Sequence, residues 1–396
     1  MRTITDAERR ARLARRHGLA AAHRYDSALA AATAMVVLHA TEAATVHISV
    51  AARVRSATVA DVEAALYEDR SLIKQLAMRR TLFVFPRDLL GAALGSAAAR
   101  TAAAEERSLA RAVERTEIAG DGRAWLGQAR QHVLAVVGGQ PPPMMSVQQI
   151  RTAVPMIDRK VLFAPGTKWG GEVSLAPRVV GWLGARGDLV RGRNDGHWRN
   201  RKPLWTPLES WLGEAIAPID VATGYAEIVR RWLWTFGPGT EDDIVWWLGS
   251  TRTDARRALH DVGALPVGLE TAGTGWVLPD DLDPEPSVEP WVALLPALDP
   301  TTMGMKRREF YLDPEDVPYL VDTAGNAGPT AWVDGRIVGS WVQDEDGAVR
   351  TVLRRSVGAE ELSRLEDEAC RLTEFLDGQV IANVFGPRLR RGLALP

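Results

Sequence analysis

Apolar and polar positions along the chain alternate between a helical period and short strand-like runs, and the same order of elements recurs. Thr5 to His17 has a charged helical pattern, and Ala28 to Leu38 is apolar all round. Thr58, a residue suited to a helix N-cap, precedes the periodic Val59, Val62 and Leu66. Ser71 stands the same way before Leu72, Ile73 and Leu76, which predicts a second helix. Thr81-Leu82-Phe83-Val84-Phe85 then reads as a strand stopped by Pro86. Helix, helix and strand within about thirty residues outline a winged helix-turn-helix. Further helices are expected over Ala92 to Val113 and Trp125 to Val137.

After the linker Gly138-Gly139-Gln140-Pro141-Pro142-Pro143 the pattern returns. Ser146 starts a helix to about Val154, and Gly171 leads into a helix from Glu172 to Ala185. A hairpin of Leu189 to Arg193 and Trp198 to Lys202 turns at Asn194-Asp195-Gly196. A third copy has Thr240 and Asp243 spaced as a capping box, a turn at Gly249-Ser250-Thr251 and a helix from Arg252 to Val262. Leu265 to Leu269 and Trp276 to Leu278 form its wing. The acidic, proline-rich stretch Asp280 to Pro290 then separates a segment of different class. Trp291 to Leu295, Thr330 to Val333, Ile337 to Val342 and Val349 to Arg354 are strand-like, and a helix runs from Ala359 to Phe375. The predicted fold is α+β: an N-terminal helical region with a first winged helix (1–137), a second with a basic hairpin (144–215), a third (225–280), and a C-terminal β-rich domain with a terminal helix (290–396).

Composition narrows the function only a little. Net charge is −2 over 396 residues, so attraction to nucleic acid must come from local patches. Cys370 is the only cysteine, which excludes an internal disulfide and a cysteine-based zinc site. His39, Glu42 and His47 are close in sequence, yet their spacing suits no usual metal triad, and no cofactor-binding motif is present; no cofactor or metal is expected. No apolar run approaches a membrane span. The basic start carries Asp6 and Glu8 and lacks the form of a signal peptide, so a cytoplasmic protein is expected.

The most specific basic feature is the second hairpin. Residues two apart on a strand share a face, so Arg191 with Arg193, and Arg199 with Arg201, would form a cationic finger with Lys202. A solvated, arginine-rich wing is the plainer reading. Arg252 and Arg256 on the third unit's second helix could contact a DNA backbone or form an ordinary exposed face. Trp232, Trp234, Trp246 and Trp247 are expected to pack in the core.

Four stretches resemble the winged-helix DNA glycosylases of the azinomycin-resistance (AlkZ) and YcaQ type: Val37-Leu38-His39-Ala40-Thr41-Glu42-Ala43-Ala44-Thr45, Arg79-Arg80-Thr81-Leu82-Phe83-Val84, Phe236-Gly237-Pro238-Gly239-Thr240 and Leu294-Leu295-Pro296-Ala297-Leu298-Asp299-Pro300. The resemblance implies a monomeric, monofunctional enzyme acting on damaged double-stranded DNA, excising N7-alkylated purines or unhooking crosslinks. The family's catalytic motif, two polar residues flanking an apolar one, falls on His39, Ala40 and Thr41, where both polar positions depart from the usual glutamine pair. Asp299 matches an acidic position of the family and is a second candidate. The plainer alternatives are a hydrogen-bonded histidine ending a helix, an N-capping Thr41 and a turn-forming Asp299. The corresponding alternative for function is a non-catalytic DNA-binding protein, a regulator or lesion binder.

Overall fold

The computed structural model describes residues 2–139, 141–163, 166 and 170–381; Gln140 of the expected linker and 382–396 of the expected C-terminal segment lie outside it. The described chain mixes helices and strands and divides into two compact units that do not follow chain order. The first comprises 1–72, 83–87 and 225–396, and the second 73–82 and 88–224. Among the described residues no helix is long and apolar enough to cross a membrane.

In the first unit the best-formed motif is the one the capping pattern foretold. The hydroxyl of Thr240 accepts from the Asp243 amide while the Asp243 carboxylate accepts from the Thr240 amide, opening the helix Glu241–Leu248. Gly249 closes it at φ 61°, a left-handed conformation that favours glycine. Thr251 and Asp254 repeat the capping box for the helix Arg252–Asp261. A hairpin of Leu265–Leu269 and Gly273–Val277 follows, extended by Thr3–Ile4 in parallel. Gly239 has a steric reason: a Cβ there would sit 2.2 Å from the fully buried Trp232. Trp232 and Trp247 are core residues, as expected, but Trp234 is half exposed on the other side of its helix, under the Arg16 guanidinium. Two residues on, it cannot share the face of Trp232.

The C-terminal part of this unit is a four-stranded antiparallel sheet, Val292–Leu295, Thr330–Val333, Arg336–Gln343 and Val349–Leu353 in that order, and the helix Ala359–Leu376 ends it. Asp334 and Gly335 both have positive φ, as a tight hairpin turn needs.

Several expected elements differ. Leu72–Leu76 is a strand, not a helix, and the turn Met78–Arg80 separates it from the strand Leu82–Pro86. Ser71 does not cap forward; its hydroxyl donates back to the Ala65 carbonyl. The first helix–helix–strand reading therefore fails. Helix Ala28–Ala34 stops before the short strand Leu38–His39, so His39 ends a strand, not a helix. The long helix after Pro86 breaks at Ser96 into Leu90–Gly95 and Ala97–Arg115.

In the second unit Ser146 and Gln149 make a capping box for the helix Val147–Ala153. Gly171–Ser174 is a strand paired with Lys160–Phe163, and the helix begins only at Leu175, ending at Arg186. The basic hairpin also shifts. Leu189–Asn194 pairs with Pro203–Pro207, not with Trp198–Lys202. That register seats Trp205 in the apolar core, which the charged stretch 198–202 cannot do.

A buried polar cluster holds the first unit together. Arg53 donates to both oxygens of Asp299, at 2.9 and 2.6 Å, and both residues are 0 % exposed. Removing one partner of such a pair strands a buried charge, at a cost of about 3–5 kcal/mol. Arg53→Met should therefore lower the unfolding free energy by that order in chemical denaturation. Arg53→Met combined with Asp299→Leu should recover much of the loss; equal stability of the single variant and the native chain would show that the pair contributes nothing.

Candidate active site

His39 is positioned by pairing of Leu38–His39 with Leu82–Pro86, antiparallel, His39 opposite Phe83. Its imidazole meets the Phe83 ring edge to face at 4.9 Å between centroids. The Thr41 amide donates to Nδ1 at 3.4 Å, a loose bond that places the proton of a neutral ring on Nε2. The Thr41 hydroxyl oxygen is itself buried with no hydrogen-bond partner. Two residues later the helix Ala43–Ala51 begins, and its N-cap position, Glu42, supplies no side-chain cap. Thr41 therefore does not serve as the N-cap that its residue type suggests.

That helix is fixed from its other end. Thr45, Ser49 and Arg53 are spaced four apart and so share a face. Thr45 donates to the Ala297 carbonyl at 2.8 Å, Ser49 to Asp299 at 2.7 Å, and Arg53 to Asp299 and to the Thr301 hydroxyl at 2.7 Å. The Thr301 amide also donates to Asp299 at 2.8 Å, and the carboxylate caps the short helix Pro300–Met303. Asp299 is thus fully buried and already accepts from four donor groups. It has no capacity left to activate a water molecule, and in this geometry it clamps the helix that follows His39 and Thr41.

His17 extends the cluster. Its Nε2 faces the Thr235 carbonyl at 3.2 Å, which can only accept, so Nε2 carries the proton and Nδ1 accepts from Thr301 at 2.9 Å. Burial pushes the His17 pKa well below its ordinary value, and the Arg53 charge pushes it further. His47 bonds the Ala43 carbonyl and Glu63. Among the described residues no cluster of His, Cys, Asp or Glu could hold a metal ion.

The expected DNA-contacting residues fall into two groups, described within their own units. In the second unit Arg191 lies over the ring of its cross-strand partner Trp205 at 5.0 Å, and burial lowers its pKa to about 10. It packs on its own hairpin. Arg193 is half-buried on the same strand, whereas Arg199, Arg201 and Lys202 are exposed in the loop between the strands. In the first unit Arg252 pairs with Glu241 and Asp242 at 2.9 and 2.6 Å, and Arg256 with Glu241 at 2.8 Å. These guanidinium groups already have carboxylate partners.

The clamp escaped the sequence reading. Its signal is present, however: Thr45, Ser49 and Arg53 recur at helical spacing in a stretch that is apolar apart from them and His47.

The model of the AlkZ-like DNA glycosylases matches residues 32–375. The chain belongs to that family. Its fold is similar to that of Streptomyces sahachiroi DNA glycosylase AlkZ, with a TM-score of 0.71 over 94% of this chain and 98% of that one, at 19% identity. No curated protein sequence matches. The matched segment includes both His39–Thr41 and Asp299.

His17 gives a pH prediction. Its folded pKa lies below the unfolded value of about 6.5, so the unfolded chain binds more protons below neutrality. Its contribution is present above pH of about 6.5 and is lost as pH falls, by at most about 1.4 kcal/mol per pH unit. Unfolding free energies at pH 7 and 5 should therefore fall more steeply for the native chain than for His17→Gln. Identical slopes would remove His17 as the cause.

Proposed function

We propose that this member of the AlkZ-like family is a monofunctional DNA glycosylase that hydrolyses the N-glycosidic bond of N7-alkylated purines, including crosslinked ones, in duplex DNA. The observation that carries the reading is the buried, unpartnered Thr41 hydroxyl beside His39, at the position of the family's catalytic motif. A buried hydroxyl without a partner is costly unless something else comes to bond it. A water or the lesion nucleotide would do so.

The chemistry asks for little acid catalysis. Alkylation at N7 makes the base a cation, so breaking its bond to the sugar releases a neutral base and leaves positive charge on the sugar ring. Water then adds to the anomeric carbon and gives up a proton. Thr41 accepts a hydrogen bond from that water and orients it. The loose amide contact at His39 Nδ1 can open, and Nδ1 then takes the released proton as general base. Asp299 acts as a positioning residue: with Thr45, Ser49 and Arg53 it holds the helix after Thr41 in place.

Two stretches read as winged helices presented to the duplex: the helix–turn–helix and hairpin over 241–277, and the elements over 147–207 ending in the basic hairpin. Within the hairpin, Arg199, Arg201 and Lys202 are exposed and suited to phosphates; Arg252 and Arg256 would have to leave Glu241 and Asp242 to reach one.

The test is base release from duplex DNA containing N7-methylguanine. The native protein should produce abasic sites above the spontaneous rate. His39→Ala should reduce the rate by roughly 10²-fold or more, the usual scale of a general base, while DNA affinity changes little. Salt-sensitive binding to lesion DNA without any base release would instead make the protein a lesion binder.

A further inference from the structure

Helix Ala97–Arg115 carries Arg107, Arg111 and Arg115 four residues apart, a single stripe rising about 6 Å per step. All three are exposed, and among the described residues none of them has a carboxylate within ion-pair distance. They line an open cleft of about 440 Å³ in the second unit, together with Arg80, over a floor that includes Ala104, Ala112 and the ring of Phe163. Arg80 enters from the turn Met78–Arg80 with a left-handed backbone, φ 59°.

The neighbouring acids do not neutralise this row. Glu105 is held by Arg178 at 2.7 Å, with Arg80 at 3.6 Å, and Glu106 lies 3.7 Å from Arg186. Glu114 accepts from the Gly122 amide. Like charges four apart on a helix repel, so the stripe is unfavourable until a counter-charge lies on it. Placement near the helix C-terminus gives Arg115 a reason within the fold, through the helix dipole, but Arg107 and Arg111 are one and two turns further in.

We propose that this stripe is a phosphate-backbone site: Arg107, Arg111 and Arg115, joined by Arg80, hold consecutive phosphodiesters of one DNA strand. A strand carries one phosphate per about 3.4 Å of duplex axis, so the roughly 12 Å stripe spans three or four of them. The ligand is a run of phosphates and not a base, because guanidinium groups line the cleft and no paired amide side chain is among its lining residues to read a base edge. This rests on the proposed action on DNA, and it adds a footprint separate from the basic hairpin.

The measurement is affinity for undamaged duplex DNA as a function of salt, by fluorescence anisotropy, for the native chain and for the triple variant Arg107→Gln, Arg111→Gln, Arg115→Gln. Each lost phosphate contact lowers the slope of log affinity against log salt by about 0.9, so the triple variant should lose between two and three units. The substituted side chains are exposed, and thermal melting checks that the variant stays folded. A folded variant with an unchanged slope overturns the proposal while leaving the glycosylase reading intact. A native chain with no salt-sensitive affinity overturns both. Active binding without base release sinks the enzymatic reading alone. A third arm titrates inorganic phosphate during melting: saturable stabilisation that the triple variant loses, with the DNA slope unchanged, would assign the cleft to a free anion and reject the strand.

Discussion

The buried pairing of Arg53 with Asp299 constrains the first unit more than any other contact. A charge withdrawn from water costs several kcal/mol, and the pair is tolerable because the carboxylate oxygens and both terminal guanidinium nitrogens are further met by Ser49, Thr301 and backbone groups. That requirement fixes the segment 297–301 against one face of the helix Ala43–Ala51. Thr45 adds a further tie one turn from the helix start. A nine-residue helix is about 13 Å of stiff rod. Clamping it at its far end therefore also sets its beginning, where Thr41 and His39 stand. Asp299 and the segment His39–Thr41, far apart in the chain, are in this way two ends of one mechanical arrangement.

How much of this could be read from the sequence depended on how local the cause was. The N-caps at Thr58 and Ser146, the capping box at Thr240, the turn at Gly249 and the hairpin at Asp334-Gly335 are decided within a few residues, and they formed where the pattern placed them. Leu72–Leu76 and Gly171–Ser174 are too short for periodicity to separate strand from helix, and their strand partners decided the matter. The hairpin register was lost for a similar reason. The dipeptide signal marked the turn, but burial of Trp205 chose the returning strand and turned Arg199, Arg201 and Lys202 into a loop. The candidate site was partly legible: His39 and Thr41 by resemblance, the role of Asp299 only once its four donor groups were visible.

Counting arginines misleads in the same manner. The basic N-terminal segment looks like a surface made for anions, yet Arg12 and Arg16 bind Asp281, Arg9 lies buried under Phe310, and Arg10 donates to a backbone carbonyl. Arg12 and Arg16 thereby join the acidic stretch after Pro279 to the first helix. Many of the chain's arginines are used in this way for internal pairing. More informative are Arg107, Arg111 and Arg115, which stand exposed along one stripe of the helix Ala97–Arg115.

Polar groups are treated differently at the two ends of the helix Ala43–Ala51. Around Arg53 and Asp299, both carboxylate oxygens and both terminal guanidinium nitrogens are matched, and Nε alone is left without a partner. At the start of the helix, the N-cap residue makes no side-chain cap and the Thr41 hydroxyl is buried without a partner. An unsatisfied buried polar group costs about 1–3 kcal/mol, a sum that packing could avoid by a valine in place of the threonine. Under the proposed reading, the unsatisfied hydroxyl at Thr41 is stability given up for a molecule that binds there.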